Sequence, residues 1–89
     1  MGYFEATQEQ KQLATIGRGM MDYSENYGKE FGLKAVTDNG LRTLNDMSHV
    51  GYKLTTVGAA FGAKEVNFTD SEKELIARFM KKEVDIERK

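Results

Sequence analysis

The sequence has no cysteine, so the chain forms no disulfide bond and offers no thiolate as a nucleophile or metal ligand. This composition is typical of a reducing compartment. The sequence also has no excess of charge of either sign. Thirteen basic and fourteen acidic residues give a net charge of −1, and no block of either sign occurs. The charge pattern therefore does not favour binding to nucleic acid or to an anionic membrane, and it opposes self-association only weakly.

Long apolar runs are missing as well. No run approaches the roughly 20 apolar residues of a membrane span, and the first ten residues, MGYFEATQEQ, lack the basic and then apolar pattern of a signal peptide. We therefore expect a cytoplasmic protein. The length predicts a single small domain over residues 1–89, with frayed ends at about 1–5 and 86–89. Such a domain buries only about 60–65% of its unfolded surface, so self-association or partner binding would add stability.

Residues 37–63 carry few charges and two stripes of residues at helical spacing. The apolar stripe consists of Leu44, Met47, Val50, Leu54, Val57 and Phe61. The stripe of small residues beside it consists of Ser48, Gly51, Thr55, Gly58 and Gly62. Together they predict a helix whose small residues let a second backbone approach closely. We predict an interaction interface here, either with the first helix of the same chain or between subunits, formed by Gly51, Leu54, Val57, Gly58, Phe61 and Gly62.

The segments on both sides of this stretch begin with the capping-box pattern, in which a threonine precedes a glutamine or glutamate by three residues. Thr7 with Gln10 predicts the start of a first helix, and Thr69 with Glu72 predicts the start of a last one. The first helix contains Gly17 and Gly19, which we interpret as sites of close packing against the middle stretch, with a hinge or kink as the alternative. Its apolar face is formed by Leu13, Ile16, Met20, Tyr23, Tyr27 and Phe31, and that of the last helix by Leu75, Ile76, Phe79, Met80 and Val84.

The sequence thus predicts an all-α fold, a three-helix bundle with helices at about 7–29, 38–62 and 69–86 that is completed by self-association. An α+β fold is the alternative. Gly51 is a candidate helix stop, and the residues after it, Tyr52 to Val57, are rich in aromatic and β-branched side chains. In that case a hairpin would pair strands near 52–58 and 63–68.

Candidate reactive residues do not form a recognisable site. His49 has Asp46 and Lys53 at helical spacing, but no nucleophile or metal motif accompanies it. Residues 22–33 resemble the start of a calcium loop, yet Tyr27 replaces the glycine of the turn and Leu33 replaces the final glutamate. We therefore predict no catalytic residue, no cofactor and no metal site, and hence no enzyme.

By elimination, the sequence favours a small intracellular regulator or inhibitor that acts by protein–protein interaction. Immunity proteins, inhibitors encoded by phages or mobile elements, and assembly factors are of this kind. We expect an unidentified protein partner and a homodimer or higher homo-oligomer. One alternative is an α+β domain that binds a nucleotide or other small molecule through Tyr52, Lys53 and Arg78. A second is a nucleic-acid-binding regulator, which the scattered arginines do not favour.

Overall fold

A computed structural model describes residues 7–89 of the chain, and the predicted fraying at 1–5 lies outside these residues. The helices are, in chain order, α1 (Gln8–Phe31), α2 (Asp38–Lys53), a π-helical segment (Leu54–Gly58), α3 (Ala59–Phe61) and α4 (Asp70–Met80). Because α2, the π-helical segment and α3 follow one another without a break, we call them together the middle helix. Short 3₁₀ turns at Leu33–Ala35 and Ala63–Glu65 connect the middle helix to α1 and α4.

Residues 7–89 contain no strand, only an isolated bridge between Val36 and Arg88. The predicted all-α fold is therefore confirmed, and the α+β alternative, with a hairpin of strands near 52–58 and 63–68, is wrong. The segment stays helical because the close contact of Gly51 with Gly17 packs the middle helix against α1, which outweighs strand propensity. The hydroxyls of Thr55 and Thr56 donate to the Tyr52 carbonyl, at 3.1 and 2.8 Å. Such side-chain bonds compete with the backbone hydrogen bonds of the helix, which change to the π-helical pattern at Leu54–Gly58. No helix within residues 7–89 is long and apolar enough to cross a membrane.

Threonine caps begin the helices as the sequence predicts. The Thr7 hydroxyl accepts from the Gln10 amide and the Gln10 side chain accepts from the Thr7 amide, which completes a capping box. Thr69 and Glu72 form the same arrangement at the start of α4. At the end of α1, Gly32 has a φ of +75°, a left-handed value that glycine adopts without a steric penalty. The helix therefore ends there.

α1 and the middle helix cross in antiparallel directions at two glycines. A Cβ atom placed on Gly17 would lie 2.6 Å from the Gly51 carbonyl oxygen, and one placed on Gly51 would lie 2.6 Å from the Gly17 oxygen. The two backbones are thus in contact. Two turns further along both helices, the Ser24 hydroxyl donates to the Leu44 carbonyl at 2.9 Å. Gly51 of the small-residue stripe therefore serves contact within the chain, as the packing interpretation of Gly17 predicts, whereas Ser48 of the same stripe is exposed.

The main core lies beside this crossing and is covered by α4. Its buried residues are Met20, Met47, Val50, Leu54 and Leu75. An ion pair fixes the start of α4 to the middle helix, because the Lys53 ammonium donates to both Glu72 carboxylate oxygens at 3.0 and 3.1 Å. The same ammonium lies 5.6 Å from the centre of the Phe68 ring.

The last helix ends at Met80, so the predicted end near residue 86 is wrong. Lys82 has a left-handed φ of 58°, which turns the chain out of the helix. The segment after it then lies along α1 and the start of α2. Ile86 is buried in a second cluster with Tyr27, Val36 and Leu44. Residues 86–89, for which the sequence predicts fraying, are bonded to residues 35 and 37: the Thr37 amide donates to the Glu87 carbonyl and the Lys89 amide to the Ala35 carbonyl.

The glycine crossing predicts opposite effects for two alanine substitutions in α1. Gly17→Ala should lower the free energy of unfolding by about 1–3 kcal/mol, the usual cost of overpacking, because the new methyl group meets backbone atoms that cannot move away. At Gly19 a Cβ would lie 3.4 Å from the Phe79 ring, an ordinary contact. Gly19→Ala should therefore leave stability unchanged or raise it by up to about 1 kcal/mol, through helix propensity. Urea denaturation followed by circular dichroism measures both, and the reverse ranking would contradict the backbone contact.

The cap and ion pair of Glu72 predict how stability depends on acidity. The Thr69 amide, and after it the Lys53 ammonium, lower the pKa of the Glu72 carboxyl below its usual value of 4.5, while burial opposes them. A lowered pKa stabilises the fold fully above the unfolded value, and this contribution is lost as the pH falls through the folded value. In Glu72→Gln the free energy of unfolding should therefore fall less steeply with decreasing pH below about pH 4.5, as measured by denaturation at a series of pH values. Lys53→Gln should reduce this steepness less, since the amide of Thr69 remains. If the stability of Glu72→Gln fell with decreasing pH as steeply as that of the original chain, the role given to Glu72 would be contradicted.

Candidate functional site

An open groove with a volume of about 640 Å³ lies between α1 and the end of α4. The Phe79 ring lies against α1 at Gly19, where a Cβ atom would be 3.4 Å from it. Met80 is 60% exposed, although it is part of the groove's apolar surface. The lining consists of Ile16, Tyr23, Phe79, Met80 and Val84, with Thr15 and Lys82 at the edges. The surface is therefore largely apolar and accessible to another molecule.

A second cavity of about 420 Å³ extends this groove toward the start of α1. The two cavities share Thr15, Ile16 and Met80, and the extension adds Gln8, Lys11 and Gln12. We call the combined surface the α1–α4 groove. Its lining includes two lysines, Lys11 and Lys82, and no carboxylate. The remaining polar groups are amides and hydroxyls, and the Thr15 hydroxyl already donates to the Lys11 carbonyl at 2.9 Å.

The groove is open because α4 is short. α1 has 24 residues and α4 has 11, which correspond to lengths of about 36 and 16 Å. α4 can therefore cover less than half of the length of α1. Met80, the last residue of α4, lines the groove together with Thr15 and Ile16. Its flexible thioether side chain adapts readily to different apolar neighbours.

A separate cavity of about 350 Å³ lies where the C-terminal segment meets α1. The Arg88 guanidinium stacks 4.0 Å from the centre of the Phe31 ring, and its Nε donates to the Tyr27 hydroxyl at 2.9 Å. That hydroxyl in turn donates to the Ile86 carbonyl at 3.3 Å. Burial, followed by the neighbouring Tyr27 and Asp85, raises the pKa of the Tyr23 phenol above its usual value. Arg88, Tyr27, Phe31 and Ile86 therefore contact one another across this cavity. We interpret these contacts as structural and call them together the C-terminal clasp.

The six residues of the predicted interface lie in two different environments. Gly51, Leu54, Gly58 and Gly62 are buried within the chain, and Val57 is half-buried. A Cβ atom on Gly58 would contact Leu13 and Val66 at 3.5 Å. Phe61 alone among the six is largely exposed, at 71%. A contact between subunits at this face would therefore have only Phe61 and part of Val57 available.

The residues proposed for a small-molecule site do not come together. Lys53 is bonded to Glu72 and to the Asn67 carbonyl, so its charge is already compensated. Arg78 lines a cavity of about 200 Å³ that includes neither Tyr52 nor Lys53. His49 is exposed on α2, and within residues 7–89 no three metal-ligating side chains are grouped closely enough to hold an ion.

Sequence reasoning identified the apolar residues of the groove but not the groove itself. Ile16 and Tyr23 belong to the predicted apolar face of α1, and Phe79, Met80 and Val84 to that of the last helix. A helix that continued to residue 86 would carry Val84 on its own apolar face. The early end at Met80 instead leaves part of the α1 face uncovered.

Comparison with known proteins finds no matching family model, no matching curated protein and no matching solved structure. Function is therefore inferred from the groove and its surroundings.

Proposed function

We propose that this chain acts by protein–protein interaction, as a small regulator or inhibitor that covers part of a partner's surface with its α1–α4 groove. The observation that carries the proposal is the apolar lining of that groove, in particular Met80, which is 60% exposed. Exposed apolar patches on small proteins mark contact surfaces because leaving them in water is unfavourable.

The shape of the groove favours a helix over a small molecule as its occupant. From Gln8 to Tyr23 the groove follows 15 steps of α1, or about 23 Å, which matches four turns of a second helix. Small-molecule sites usually enclose most of the ligand surface, whereas this groove is open along its length. An amphipathic helix laid into a groove instead contacts it with one face and leaves the other in water.

The polar groups around the groove favour binding over catalysis. Its lining contains no histidine and no carboxylate, the side chains that most often transfer protons in active sites. The Thr15 hydroxyl is bonded to a backbone carbonyl, so no base activates it as a nucleophile. Amides, hydroxyls and lysines form instead the polar rim that surrounds an apolar contact surface in protein interfaces.

Photo-crosslinking from within the groove tests this proposal. The variant Met80→p-benzoylphenylalanine, irradiated in an extract of the cells that carry the gene, should form an adduct with a protein. Tyr52→p-benzoylphenylalanine is the matched control, because Tyr52 is similarly exposed at 62% but lies on the middle helix outside the groove. Mass spectrometry of the adducts identifies the partner. Equal crosslinking from both positions, or none from position 80, would contradict a protein-binding groove.

A further inference from the structure

We propose that in the isolated protein a second copy of this chain covers the α1–α4 groove, forming a two-fold dimer in which the two α1 helices lie antiparallel. This inference rests on the proposed function, because it names an occupant of the same groove. A two-fold contact uses the same surface on both copies, so the surface must be complementary to itself. The side chains along the outer edge of α1 meet this requirement.

Two opposite charges lie on one edge of α1, three helical turns apart. Lys11 lines the groove, and Asp22 is exposed next to the groove residue Tyr23. Eleven residues of α-helix complete three turns to within about 20°, so Lys11 and Asp22 lie on the same side of the helix, about 16 Å apart. Within the described part of the chain, neither side chain is in an ion pair or a hydrogen bond. Both charges are therefore available to another molecule.

A two-fold axis midway between these charges brings each one opposite its complement. The midpoint of 11 and 22 lies between Ile16 and Gly17, so Lys11 of each copy would face Asp22 of the other. The same register places Gln8 opposite Glu25 and Thr15 opposite Arg18, and none of these pairs joins like charges. The Arg18 side chains of both copies would lie near the axis. Each one is a turn before Asp22 of its own helix, and the Asp22 carboxylate offsets part of the positive charge of Arg18.

The apolar part of the surface is centred on the same axis. Thr15, Ile16 and Met80 are shared by the two cavities of the groove, and they lie at the level of the proposed axis. Each Met80, 60% exposed in the single chain, would pack against the other copy's α1 near Thr15. A net charge of −1 adds little long-range repulsion between copies. The apolar contact would supply affinity, and the two charge pairs would fix the antiparallel register.

Charge exchange tests this register directly in the purified 89-residue chain. Lys11→Asp and Asp22→Lys each turn two attractive pairs into two repulsive ones, so each should weaken the dimer about tenfold at low salt. The double variant Lys11→Asp with Asp22→Lys restores attraction in both pairs, so its dissociation constant should return close to that of the original chain. Sedimentation equilibrium over a range of concentrations measures all four proteins, and circular dichroism checks that each is folded.

Two further variants separate the groove from other exposed apolar residues. Met80→Glu should abolish dimerisation, whereas Tyr52→Glu, at a similarly exposed position outside the groove, should leave it unchanged. A chain that is monomeric at all concentrations, or a double charge variant no tighter than the single ones, would overturn the proposed dimer. In either case a crosslink from position 80 to another protein would still support the proposed function, so the two failures are distinguishable.

Discussion

The contact between the backbones at Gly17 and Gly51 is the constraint on which the rest of the structure depends. Side chains at these positions would hold the helices apart, since any Cβ atom there would lie within 2.6 Å of the opposite carbonyl oxygen. The close crossing places Met20 against Met47 and Val50, and so creates the core that α4 covers from one side. Dispersion contacts fall off steeply with distance, so the core depends on this approach.

Local patterns predicted the parts of the fold that local interactions determine. The caps at Thr7 and Thr69, and the close packing of Gly17 against the middle stretch, follow from spacing within a few residues. The end of α4 cannot be predicted from local spacing, because it depends on Ile86 packing against Tyr27, which is 59 positions away in the sequence. The hairpin alternative is wrong for a related reason. Strand propensity is a weak preference, and tertiary packing of Gly51 against α1 outweighs it.

In the candidate site, too, local patterns identified the residue types but not the arrangement that depends on distant packing. The sequence identified the small and apolar residues of the middle helix as a contact surface, but the structure places four of the six predicted residues inside the chain. The apolar residues of the groove were identified only as members of the apolar faces of the first and last helices. Which part of an apolar face stays exposed depends on the lengths of the helices that cover it. Here that is decided by the left-handed turn at Lys82, which periodicity cannot reveal.

The C-terminal clasp and the groove are parts of one arrangement. Tyr23 lines both the groove and the cavity beside Arg88, and the segment after α4 contributes Lys82 and Val84 to the groove before Ile86 enters the second core cluster. The bonds of Arg88 and Ile86 to α1 therefore hold one wall of the groove in position. A wall fixed in advance loses less conformational entropy when a partner binds. In the proposed complex, the polar contacts at the end of the chain would therefore favour binding without touching the partner themselves.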